Sequence, residues 1–157
     1  MSQALGQANE QIHVVEMDRA AIAASNLERS TRFYARLFGF CVVHDARSAY
    51  EALVTMAAGD DPTLAIRARS TPDARRARLT IRVADLEAAR EALWNQGVVP
   101  AVDRLTAVHA ADRYVVINDP DGHEIELVER AMAARRAPRP RGAPPSELAR
   151  CAAAASG

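Results

Sequence analysis

Two stretches of this chain repeat one order of signals: strand, polar cap, helix, glycine stop, strand. The first runs from Arg19 through Ile22 to Asn26, Leu27 and Glu28, along a helical segment to Phe38, then through Gly39 and an apolar run to His44. The second runs from Arg78 through Ile81 to Asp85, Leu86 and Glu87, along a helical segment to Gln96, then into Gly97-Val98-Val99. Asn26 and Asp85 suit the N-cap, where a side-chain oxygen accepts an N–H that the helix leaves unpaired, and Glu28 and Glu87 meet the positive end of the helix dipole. Leu27, Phe33, Tyr34 and Leu37 in one helix, and Leu86, Ala89, Leu93 and Trp94 in the other, fall near helical spacing and predict the buried stripes. Further strands are expected over Tyr50 to Ala57, Leu64 to Ala68, Arg113 to Asn118 and Glu124 to Glu129, with a turn at Gly59 to Pro62. The order is βαβββ twice, an α+β arrangement in which helices cover one sheet face and leave the other free.

The sharpest local signal is Asp119-Pro120-Asp121-Gly122 followed by His123-Glu124-Ile125-Glu126-Leu127. Pro120 presets φ for an early turn position, the aspartates can bond nearby backbone, and Gly122 accepts positive φ. Beyond the turn the sequence alternates, with Ile125 and Leu127 on one face and Glu124 and Glu126 on the other. Arg78 to Val83 alternates in the same way. Leu79, Ile81 and Val83 must meet the helix, which leaves Arg78, Thr80 and Arg82 on the free face. By the same parity Arg67 faces the free side of its strand, as Arg19 does at the matching place of the first copy.

Length and a formal net charge of zero fit one compact domain with a tail, and the neutral balance argues against nucleic acid as a partner of the domain. No stretch is long and apolar enough to span a membrane. Met1 to Gln11 lacks a basic start and an apolar run, so a cytoplasmic protein is expected. Cys41 reads as a buried thiol and Cys151 as an exposed one. The basic residues are all arginine, since the chain contains no lysine. Residues 1–15 read as an extension, residues 16–130 as the domain (modules at about 16–70 and 76–130), and residues 131–157 as a solvated basic tail rich in proline, arginine and alanine.

The paired βαβββ order, the Asn/Asp-Leu-Glu helix starts, Arg32-Phe33-Tyr34, Leu37-Phe38-Gly39-Phe40 and Asp119 to Glu129 together resemble the vicinal oxygen chelate superfamily, the glyoxalase/bleomycin-resistance/dioxygenase proteins. The resemblance implies a cup-shaped mixed sheet with the helices outside, and a homodimer. It also implies where a metal would be held: at the start of each module's first strand and on each module's last strand. Those positions here are Arg19, Arg78, Ala65 and Glu126. A guanidinium stays protonated and offers no lone pair, and alanine has no donor atom, so Glu126 alone remains where about three protein ligands are usual. No metal and no other cofactor is expected.

Of the histidines, His13 and His123 read as solvent-exposed, and His44 and His109 as structural or rim positions. His109 is the one placed for binding, in a loop before a cup strand. Two readings of the charged face stand side by side. In one, Arg19, Arg78, Arg82 and Arg67, with Thr80 and His109, receive an anionic or polar aromatic small molecule while Glu126 holds the arginines in place. In the other, an Arg-Glu-Arg cluster fills the space of a lost metal and binds nothing. The expectation is a small-molecule-binding protein, of sequestration, resistance or accessory type. The alternative is a glyoxalase-like lyase, isomerase or dioxygenase that uses Glu126 as general base or with a non-standard metal site.

Overall fold

The computed structural model describes residues 11–48, 51–58, 61–69, 75–107, 109 and 113–129. Among these residues nine strands and two helices follow in the order β1 (Val14–Met17), β2 (Ala20–Ala24), α1 (Leu27–Phe38), β3 (Cys41–Arg47), β4 (Ala52–Ala58), β5 (Asp61–Ala68), β6 (Arg78–Val83), α2 (Leu86–Asn95), β7 (Val102–Asp103), β8 (Tyr114–Asn118) and β9 (Glu124–Glu129). The α+β fold with two βαβββ modules is thus present, although the strands form two mixed sheets. One has the order β1-β6-β9-β8-β7, the other β2-β5-β4-β3.

The first strand of the first module is where the sequence reading needs refinement. The reading begins that strand at Arg19, but a further strand precedes it: β1 pairs antiparallel with β6, with Met17 opposite Ile81, and after Asp18-Arg19 β2 pairs parallel with β5, with Ala20 opposite Leu64. One extended segment therefore serves both sheets and ties the modules together. In each module the first and last strands lie side by side and parallel, β2 with β5 and β6 with β9.

The helices form where the caps predict. Asn26 accepts the Arg29 N–H and Asp85 accepts the Ala88 N–H, each at 2.9 Å. Gly39 ends α1 at φ 67°, and its N–H reaches the Ala35 carbonyl. Gln96 caps α2, its N–H shared between the Ala92, Leu93 and Trp94 carbonyls, and Gly97 follows at φ 72°. Tyr34 and Leu37 of α1 pack on Val54, Met56, Leu64 and Ile66, while Leu86, Ala89 and Leu93 of α2 pack on Leu79, Ile81, Val115, Ile125 and Leu127, all within one buried cluster. Burying such side chains is worth about 1.5–3 kcal/mol each, which makes these stripes the main source of stability.

Four sequence expectations are corrected. The strand after α2 is at Val102–Asp103, not at Gly97-Val98-Val99, because the Val98 N–H closes back on the Leu93 carbonyl at 2.8 Å. Trp94 is exposed, lying off the buried stripe. Cys41 is also exposed, on an edge strand whose residues all face solvent. His123 is buried. Tyr50, most of the Gly59–Pro62 turn, and Cys151 with the rest of the tail fall outside what the described side chains cover.

Candidate ligand-binding faces

The Asp-Pro-Asp-Gly turn places β9 and also fastens the second module to the first. Asp119 Oδ1 accepts the backbone N–H of Asp121 at 2.9 Å and of His123 at 2.8 Å, while Oδ2 accepts the Tyr34 hydroxyl from α1 at 3.0 Å. Burial, and next the Asp119 carboxylate, push the Tyr34 hydroxyl far above its ordinary range, so it stays a donor. Asp121 reaches the start of α1, where Oδ1 accepts from Ser25 N at 2.9 Å and from the Ser25 hydroxyl, and Oδ2 accepts from the Ser30 hydroxyl at 2.9 Å. Burial alone would raise the Asp121 carboxyl, but the Ser25 and Ser30 hydrogen bonds and the Arg29 guanidinium outweigh it and hold the carboxyl below its ordinary value. His123 completes the seam. Its Nδ1 accepts the Ala77 N–H at 3.0 Å, so Nε2 carries the proton and donates to the Ala23 carbonyl at 2.8 Å. One imidazole thus spans the approach to β6 and the second half of β2.

The parallel register of β6 and β9 then fixes the free face of the first sheet. Arg78 lies opposite Glu124, Thr80 opposite Glu126 and Arg82 opposite Val128. Across β8, Val116 continues the Glu126 row and Tyr114 the Val128 row. Arg78, Thr80, Arg82 and Glu126 therefore share one face, as their alternation predicts. The pairing among them differs from expectation. Arg78 binds Glu124, with Nη2 to Oε2 at 3.0 Å, because the register sets Glu126 one row further on. Arg82 faces Glu16 of β1 at 3.8 Å. Both arginines are thus matched by carboxylates. Glu126, half-buried beside Thr80 and Val116, has no ion pair or hydrogen bond among the described residues.

The other expected residues lie elsewhere. Arg19 is exposed at the corner between β1 and β2, and His109 is exposed in the loop between β7 and β8. Arg67 stands on the free face of the second sheet, opposite Ala23 and Leu53, with Glu51 at 3.5 Å. There it borders a shallow groove of about 430 Å³ along the module seam, lined by Ala21, Ala23, Arg67, Arg69, Arg75 and His123 among others. Arg69 and Arg75 are additions that the sequence reading missed. Arg69 continues the parity of Arg67, a signal that was available, whereas Arg75 precedes its strand and carries no periodic mark. The alanine floor leaves room between guanidiniums, and among the described residues Glu51 is the carboxylate that pairs with one of them, Arg67. The groove accordingly favours anions.

Among the described residues no three His, Cys, Asp or Glu side chains come together to hold an ion. A family model described as Glyoxalase/Bleomycin resistance protein/Dioxygenase superfamily matches residues 16–127. The chain belongs to that superfamily. Solved structures with the same fold include TnmS3, an antibiotic-binding protein from Streptomyces sp. CB03234 (TM-score 0.57, 20% identity, 75% of this chain and 98% of that one). The trypanothione-dependent glyoxalase I of Leishmania major is similar at TM-score 0.57 and 20% identity, over 73% of this chain and 86% of that one. A superfamily member from Sphaerobacter thermophilus DSM 20745 is similar at TM-score 0.57 and 23% identity, over 74% and 98%. No curated protein matches the sequence. At these identities the likeness carries the superfamily fold, which hosts both binding proteins and enzymes. Among the described residues no helix is long and apolar enough to cross a membrane.

Proposed function

We propose that this superfamily member binds a small anionic or polar aromatic molecule without a metal ion, in the manner of a sequestering or accessory protein. The observation that carries this reading is the donor set. Of the four positions where the resemblance implies ligands, Arg19, Ala65 and Arg78 cannot coordinate, and Arg78 is instead engaged by Glu124. Charge recognition then falls to guanidiniums, which bind carboxylates and phosphates in a planar, two-pronged way. Among the described residues, the seam groove with Arg67, Arg69 and Arg75 supplies them in excess over carboxylates. Calorimetric titration of chelator-treated protein with inorganic phosphate and a series of aromatic carboxylates tests the reading. Binding should survive the chelator and weaken by about 1.5–3 kcal/mol in Arg75→Gln, the scale of a hydrogen bond to a charged group. Binding that requires added Zn, Ni or Mn would overturn it.

A second reading rests on Glu126. Glu126 is a half-buried carboxylate on the free face of its sheet with no ion pair or hydrogen bond among the described residues, which suits a general base in lyase or isomerase chemistry. In that case Glu126→Gln should abolish turnover of a substrate that it still binds.

A further inference from the structure

The chain's single tryptophan, Trp94, stands 56% exposed on α2. It closes a groove of about 560 Å³ that it forms with Asp85, Glu87, Ala88, Arg90 and Glu91. Glu87, Glu91 and Trp94 follow one another at helical spacings of four and three, so they make one stripe. Its surroundings are acidic. Arg90 is taken by Asp103 at 3.2 Å, and Arg113 lies between Glu87 at 2.8 Å and Glu129 at 3.8 Å. Among the described residues Asp103, Glu87 and Glu129 pair with Arg90 and Arg113, and Asp85 and Glu91 add two more carboxylates to the groove lining, five against two guanidiniums.

The chain leaves the domain beside this stripe. Glu129 ends β9 opposite Val83, two residues before the Asp85 cap of α2, and it shares Arg113 with Glu87. The segment that follows carries Arg130, Arg135, Arg136, Arg139 and Arg141, with no acidic residue before Glu147. We infer that residues 130–141 of the same chain are the occupant of the Trp94 groove. Their positive charge complements the excess of carboxylates, and an arginine laid over an indole face gains a cation–π contact. The lengths agree as well. Seven helical residues from Glu87 to Trp94 span about 10 Å at about 1.5 Å each. The three-residue separation of Arg136 from Arg139 corresponds to about 9 Å at the roughly 3.1 Å per residue of a polyproline-type chain. Six residues from Arg130 to Arg136 reach about 20 Å, ample for a target next to the exit point. A segment whose composition alone reads as solvated therefore has a complementary surface within reach, and a stripe that would otherwise recruit basic partners is covered by its own chain.

Trp94 reports on this directly, since the chain contains no second tryptophan. Emission and acrylamide quenching should be measured on the full chain, on a variant with Arg135, Arg136, Arg139 and Arg141 all changed to serine, and on Glu87→Gln/Glu91→Gln. In the full chain at low salt the emission should be shifted to the blue and protected from quencher. Raising the salt, neutralising the tail and neutralising the helix should each move it to the red and remove the protection, with far-ultraviolet circular dichroism unchanged. Identical emission and quenching in all three proteins would overturn the inference. So would protection that grows with protein concentration, which would assign the groove to the tail of a second copy.

Discussion

The Tyr34 hydroxyl donates to Asp119 Oδ2 across 3.0 Å of buried space, joining the middle of α1 to the turn that launches β9. Because Asp119 also accepts from Asp121 N and His123 N, one carboxylate sets both the shape of the turn and its attachment to the first module. Tyr34→Phe removes the donor and strands that oxygen without changing the packed ring. The expected loss is about 1–3 kcal/mol, the cost of a buried unsatisfied acceptor, read as a lower urea midpoint at unchanged slope. An unchanged midpoint would show that water replaces the phenol.

His123 has the same kind of role at the other side of the seam. His123→Phe preserves bulk but leaves the Ala77 N–H and the Ala23 carbonyl unpaired. Stability should fall by about 2–6 kcal/mol, two such penalties together. If the groove depends on that seam, phosphate binding should weaken in the same variant under conditions where it remains folded.

Asp121 gives the fold a defined response to acid. Its carboxyl lies below its ordinary value in the folded protein, because the hydrogen bonds from Ser25 and Ser30 outweigh its burial. The stability it contributes is complete above the unfolded-chain value of about 4 and disappears as pH falls through the lower folded-state value. A urea-midpoint profile from pH 6 to pH 2 should therefore slope less in Asp121→Asn than in the parent, with the parent the more stable of the two at neutral pH.

Arg78 makes the opposite case. It is 64% exposed and its pair with Glu124 lies in solvent, so Arg78→Met should change stability by no more than about 1 kcal/mol. A loss of several kcal/mol would revive the buried Arg-Glu cluster that the register argues against.

These residues also mark what a one-dimensional reading carries. The repeat, the caps Asn26 and Asp85, the stop at Gly39 and the alternation of Arg78 to Val83 are local, and each is found where the sequence implies it. The strand ahead of Arg19, which carries the same segment into a second sheet, is not local. It depends on Met17 meeting Ile81 while Ala20 meets Leu64, partners more than forty residues away. His123 reads as exposed because it follows a turn glycine, and only the folded chain shows Ala23 and Ala77 closing on its two ring nitrogens. Parity correctly gathers Arg78, Thr80, Arg82 and Glu126 on one face, but parity cannot say that Glu124 is the carboxylate that Arg78 takes. Arg75 joins Arg67 through tertiary packing alone.

The central claim is that recognition proceeds through arginine where relatives are expected to use a metal. Elemental analysis of protein isolated from its host without a metal-affinity step tests it most directly. Zn, Ni, Mn and Fe should each lie far below one ion per chain, unchanged by Glu126→Gln. One ion per chain that disappears in Glu126→Gln would contradict it.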